Sequence, residues 1–115
     1  MPRKESHDIA EAFFHRRPCK RKRTTTDGDN VYLHGNKIAW RDDYDIVHLT
    51  LCGWGTVTTR DRLNAICEFF DRGRCFYQAK GEQYYNERQI DANEVIPLTS
   101  PLHALVLEAE RRLAA

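Results

Sequence analysis

The chain has 115 residues, 41% hydrophobic and 30% charged, with a formal net charge of +1; this is the size of one domain, which buries about two thirds of its unfolded surface without staples. Its four cysteines, Cys19, Cys52, Cys67 and Cys75, make no CxxC pair and no Cys/His zinc spacing, so neither a disulfide framework nor a metal site is expected. No signal peptide or membrane-length apolar run is recognisable, so the expected setting is reducing and cytoplasmic, without a membrane partner.

The near-neutral balance hides an asymmetry. Residues 1–26 carry eight Lys/Arg against three Asp/Glu, net +5, and the remainder is net −4. Ser6 is placed to cap a short helix running through Arg17. Asp8 and Glu11 lie near its start and His15, Arg16 and Arg17 near its end, as the macrodipole favours. Ile9, Ala12 and Phe13 give this helix an apolar stripe for docking, and Pro18 stops it; a loosely ordered tail over residues 1–8 is the alternative. The division expected is a short N-terminal helix or arm, residues 1–18, and a single α+β domain, residues 19–115.

In Cys19–Thr26, CKRKRTTT, a charge run gives way to β-branched residues. Arg21–Thr26 reads as an edge strand, turned by Asp27-Gly28 into the next. Its cations either guard the edge against unwanted pairing or form a phosphate-tracking arm of Arg16, Arg17, Lys20, Arg21, Lys22 and Arg23.

Val31–Trp54 alternates apolar and polar residues. Gly35-Asn36 reads as a type II′ turn, which sets Leu33 against Ile38 and Val31 against Trp40. Asp42-Asp43-Tyr44-Asp45 reads as the next connection, setting Trp40 against Val47 and Ile38 against Leu49. Both turns then place Val31, Leu33, Ile38, Trp40, Val47, Leu49 and Leu51 on one buried face. The other face carries Tyr32, His34, Lys37, Ala39, Arg41, His48 and Thr50. That set is either an ordinary wet face or a surface for nucleotides, with contacts from Tyr32, His34, Lys37, Arg41 and His48.

Gly53-Trp54-Gly55 reads as a tight bend with the indole tucked inward. Thr58 and Asp61 fit a capping-box-like start, and Leu63, Ile66, Cys67 and Phe70 continue as a helix packed on the meander, ended by Gly73. Thr58, Thr59, Arg60 and Arg62 at that start form a candidate anion site, although capping alone accounts for the threonines. Cys75–Asn86 reads as a hairpin about Lys80-Gly81, pairing Tyr77 with Tyr84 and Phe76 with Tyr85. Phe76 is expected in the core, and Tyr84 or Tyr85 at a possible protein interface. Residues 87–99 read as a polar connection containing a short strand at Val95–Leu98. Ser100-Pro101 opens a last helix with a stripe of Leu102, Leu105, Val106, Ala109 and Leu113, which covers the sheet or pairs with a second copy.

The expected fold is therefore α+β: an antiparallel β-meander of three or four strands, then a helix, a second hairpin and a C-terminal helix packed on one sheet face. The aspartate clusters lack the glycine and distal glutamate of a calcium loop and read as turn formers. There is no Walker loop, no dinucleotide fingerprint, and no HxH or HExxH among His7, His15, His34, His48 and His103. No enzyme and no cofactor is expected.

LHGNKIAW (Leu33–Trp40) and GWGTVTTRDRLNAI (Gly53–Ile66) resemble a group of small tailed-phage and prophage proteins, over about residues 30–98. The resemblance implies an accessory phage protein acting inside a bacterial cell, and it carries over no catalytic residues. Three functions are compatible: a DNA- or RNA-binding module, a protein-directed inhibitor of a host defence system of anti-CRISPR type, or a structural component, with a homodimer possible.

Overall fold

A computed structural model of the protein describes residues 3–70 and 76–98, with Ala109, Arg112 and Leu113. The helix end expected at Gly73, Cys75 of the second hairpin, and the Ser100-Pro101 helix start lie outside the described residues. Ala109, Arg112 and Leu113 are helical and exposed.

The charge run and the threonines do not form one strand. They fold on themselves as a hairpin of β1 (Cys19–Arg21) and β2 (Thr24–Thr26), with Lys22 at a positive φ of 52° in the turn. Thr24 and Thr26 are buried and β2 lies inside the sheet, so that of this hairpin β1 alone is an edge strand. Asp27 then turns the chain into β3 (Asn30–Leu33), its carboxylate accepting the N–H groups of Asp29 and Asn30 at 2.9 and 2.8 Å. This is the turn-forming role expected of that cluster.

The turn to β4 (Asn36–Arg41) is one residue earlier than the sequence pattern indicates. His34 and Gly35 take φ of 52° and 81°, and Leu33 pairs with Asn36. Two positive φ angles are what a type I′ turn needs, and histidine is among the non-glycine residues that tolerate them. The register then shifts between Val31 and Tyr32 on β3, leaving Ile38 as the extra residue of a β-bulge on β4. Beyond the bulge Val31 faces Ala39, and Asn30 faces Trp40. The connection to β5 (Val47–Leu49) spans residues 42–46, so that Trp40 faces His48 and Arg41 faces Val47. Six of the seven side chains expected on the buried face are there. Trp40 is not: the bulge reverses the alternation, sending Trp40 outward and Arg41 inward.

Residues 96–98 return as β9 (Ile96–Leu98) beside β5, completing a six-stranded antiparallel sheet of order β1-β2-β3-β4-β5-β9. Pro97 sits on that edge strand, where a missing N–H is tolerated. Between β5 and β9 come helix α2 (Val57–Phe70) and a three-stranded sheet of β6 (Phe76–Ala79), β7 (Glu82–Tyr85) and β8 (Arg88–Ile90). The hairpin pairs Phe76 with Tyr85 and Tyr77 with Tyr84, as its register predicts, around a Lys80-Gly81 turn with both φ positive. Strand β8 replaces part of the expected polar connection.

Helix α1 (Lys4–Phe14) docks on α2 and on the inner face of the large sheet. Ile9, Ala10 and Phe13 of α1, with Leu63, Ile66 and Cys67 of α2, join Val31, Leu33, Ile38, Ala39, Val47, Leu49 and Leu51 in one core. The α1 N-cap is Arg3, not Ser6, which is wholly buried in the first turn. Arg41 closes the other end of α1: its guanidinium lies 4.3 Å from the Phe13 ring centre and donates to Phe13 O at 2.6 Å and to Gly28 O.

Gly28 has φ +102°, and a Cβ there would lie 2.8 Å from the Arg16 carbonyl carbon and oxygen; Gly35 has φ +81° and open space around it. Gly35→Ala is therefore expected to cost about 1 kcal/mol, the strain of the left-handed region, and Gly28→Ala about 2–4 kcal/mol, because backbone must also move. Urea denaturation of both variants checks the order; equal losses would disprove the close approach at Gly28.

Candidate nucleic-acid interface

Because side chains alternate along each strand, the outer face of the large sheet is read directly from the register. One cross-strand row runs Lys20, Thr25, Tyr32, Lys37, and a second runs Asn30, Trp40, His48, Pro97. Lys20, Lys37 and Pro97 are exposed and the others half-buried. The rows are joined at their centre: Lys37 Nζ sits 5.9 Å from the Trp40 ring centre, and the indole stacks on His48 at 5.6 Å and 19°. Asp42 fixes His48 from behind through an Nε2···Oδ2 contact of 2.7 Å. Burial would raise the Asp42 carboxyl, but His48 and the N–H groups of Ile46 and Tyr44 outweigh it and hold the carboxyl below its ordinary value.

Of the expected sheet contacts, Tyr32, Lys37 and His48 lie on this face. His34 is at its rim, in the β3–β4 turn. Arg41 is not available: its side chain is 7% exposed and turned to the interior. Trp40 takes the place that the unbroken alternation assigned to Arg41, so the face loses a cation and gains the largest stacking ring.

The basic arm is divided. Arg16 pairs with Asp45, and Arg21 Nε meets Asp8 at 3.1 Å on the helical side. Arg17 is exposed beside Pro18, just before β1, and lines a depression with Asp8, Glu11 and Arg21. Lys20, Lys22 and Arg23 instead line a shallow depression of about 400 Å³ with Thr25, His34 and Gly35. Lys22 Nζ also lies 3.8 Å from Glu5, an exposed pair of small energetic weight. The β1–β2 and β3–β4 turns thus make a basic end of the sheet. The β2–β3 and β4–β5 connections, with Asp27, Asp29, Asp42, Asp43 and Asp45, make the opposite end acidic.

The anion site expected at the start of α2 is not assembled. Thr56, two residues before the expected cap, accepts the Thr59 N–H at 3.2 Å, and the two hydroxyls bond at 2.8 Å. Thr58 Oγ1 accepts from Arg3 at 3.2 Å, while Thr59 is 1% exposed. Arg60 donates to Gly55 O at 2.9 Å and to Gln78 and Gln83 at 3.1 Å each. Arg62 is 3% exposed and donates to Thr24 Oγ1 at 2.7 Å and to Ser6 Oγ at 2.5 Å. The threonines and arginines that read as a ligand site instead tie α2 to its neighbours, Thr58 and Arg62 to α1 and β2, and Arg60 to the β6–β7 hairpin. Elsewhere, Tyr84 stacks on Tyr77 at 5.1 Å and 6°, and Tyr85 turns to Phe76 at 4.9 Å.

The chain belongs to the Kyanoviridae Gp96 protein family, whose model matches residues 2–100. This is a family of phage proteins, the origin that LHGNKIAW and GWGTVTTRDRLNAI imply. No curated protein and no solved structure matches the chain. Among the described residues no helix is long and apolar enough to cross a membrane.

Asp61 ties the same helix junction. Burial would raise its carboxyl, but hydrogen bonds from Ser6 and from the Arg3 backbone and guanidinium outweigh this and hold it below its ordinary value. With the folded pKa below the unfolded one, the stabilisation is complete above the ordinary value of about 3.9 and is lost as pH falls through the depressed one. Asp61→Asn should therefore lower stability at neutral pH, with the deficit narrowing below about pH 3.9. Denaturant midpoints of both proteins across that range test it, and a constant deficit would refute the linkage.

Proposed function

We propose that this phage protein is a non-enzymatic accessory factor that binds single-stranded nucleic acid, DNA or RNA, inside the host cell through the outer face of its large sheet. The observation that carries the reading is the Lys37–Trp40–His48 stack beside Tyr32, with Lys20, Lys22 and Arg23 at the adjoining end. Rings on a sheet stack bases without regard to sequence, and neighbouring cations hold the backbone that links them. Duplex is disfavoured, because its bases are already stacked on one another and offer no free face to a ring platform.

A second reading, a protein-directed inhibitor of a host defence system, is favoured by one feature. Tyr77 and Tyr84 present a stacked, part-exposed pair on the small sheet, with Tyr77 39% exposed. Tyrosines of this kind are efficient contacts for a protein partner.

Fluorescence anisotropy with labelled single-stranded oligonucleotides over a salt series separates the two. With Lys20, Lys22, Arg23 and Lys37 on phosphates, the plot of log affinity against log salt should have a slope of about −3. Trp40→Ala should weaken binding about 5- to 100-fold. Tyr77→Ala should leave it unchanged. Absence of binding to any oligonucleotide at low salt would eliminate the first reading.

A further inference from the structure

The second tryptophan stands at the basic end of the same sheet, displayed by a turn that its neighbours over-determine. Trp54 N–H donates to Leu51 O at 2.9 Å, and Gly53 N–H to Ala92 O at 3.0 Å. Between Leu51 and Gly53, Cys52 takes a positive φ of 54° with its N–H bonded to Thr50 Oγ1 at 3.1 Å. A non-glycine residue in that region is strained, and persists because the surrounding bonds fix it. The turn leaves the indole 57% exposed instead of tucking it inward, contrary to the reading of Gly53-Trp54-Gly55. Beside it opens a groove of about 420 Å³, with walls of Leu33, Ile38 and Leu51 and a rim of His34, Thr56 and Thr58.

Charge decides what fits there. His34 lines both this groove and the depression of Lys20, Lys22 and Arg23; among the described residues no carboxylate lines either, and Glu5, 3.8 Å from Lys22 Nζ, lies outside the lining. An apolar slot walled by an exposed indole, opening directly onto a cationic shelf, matches a flat ring that carries phosphate. An uncharged or basic peptide would leave the cations unused. The volume lies within the range of sites that hold ligands of nucleotide size, and nothing crowds the Gly35 backbone that separates the two.

We propose that one unpaired nucleotide of the bound strand leaves the sheet at the β3–β4 turn, its base stacking on Trp54 in the groove and its phosphates resting on Lys22 and Arg23. This rests on the reading of the outer face as the strand's main platform.

The chain has two tryptophans, so Trp40→Phe and Trp54→Phe each leave a single reporter. The probes are a short single-stranded oligodeoxyadenylate and adenosine monophosphate. In Trp40→Phe protein the oligonucleotide should quench Trp54 emission, and Trp54→Ala should weaken its binding about 5- to 100-fold. Because Trp54 is exposed, that variant should keep the parent circular-dichroism spectrum. Oligonucleotide binding that quenches Trp40, with Trp54 emission and Trp54→Ala affinity unchanged, would overturn the groove proposal and leave the sheet reading standing. Quenching of Trp54 by the mononucleotide, without oligonucleotide binding, would overturn the strand as ligand and the sheet reading with it. No response to either probe would overturn both.

Discussion

The β-bulge at Ile38 sets the character of both faces of the large sheet. A strand has a side-chain period of two, so one inserted residue exchanges inside and outside for everything beyond it. Here the exchange is confined to the end of β4, where Ala39 turns in, Trp40 out and Arg41 in. Ile38 and Ala39 are consecutive and both buried, and Ile38 O still accepts the Thr50 N–H at 2.9 Å. The carbonyl of the bulged residue is thereby paired on the β5 side.

Two interior arginines follow from this architecture. Arg41 reaches under the sheet to the Phe13 carbonyl in the last turn of α1 and lies over the Phe13 ring, and Arg62 spans from α2 to β2 and α1 through Thr24 and Ser6. Desolvation lowers the pKa of both, and each is compensated by several acceptors in fixed geometry. A short chain with small helices gains from such residues a way to fix how its layers meet, which apolar contacts alone do not specify.

The strands were legible in the sequence where turn chemistry and alternation agreed. The Lys80-Gly81 hairpin has the register its residues imply, and the inner positions Val31, Leu33, Val47, Leu49 and Leu51 are buried as their spacing requires. What failed was the reading of His34-Gly35-Asn36. Placing glycine first in the turn made an unbroken ladder look sufficient, and an unbroken ladder puts Trp40 in the core. A bulge has no residue signature of its own; Ile38-Ala39-Trp40 is as compatible with one as with a regular strand. Composition also could not separate the threonines and arginines at α2 into ligand groups and structural ones. That depended on α1, from far along the chain, supplying Ser6 and Arg3 as their partners.

The near-neutral net charge does not weigh against a polyanion as ligand. Cations on the helical side are matched by carboxylates, as in Arg21 with Asp8 and Arg3 with Asp61. Lys20, Arg23 and Lys37, with Lys22 beside Glu5, gather instead around the turns at one end of the sheet, and the loop aspartates gather at the other. β4 alone has six residues, which at about 3.3 Å each separates the two ends by roughly 20 Å. Exposed charges are screened beyond about 8 Å at physiological salt. The aspartates therefore do not cancel the cations across the sheet. A phosphate chain arriving at the basic end would meet a local positive field, and the rings, Tyr32 in the first cross-strand row and Trp40 with His48 in the second, lead away from it toward the aspartates. In the proposed binding mode, that gradient would give the strand a preferred position along the face, set by where its charge is tolerated and not by which bases it carries.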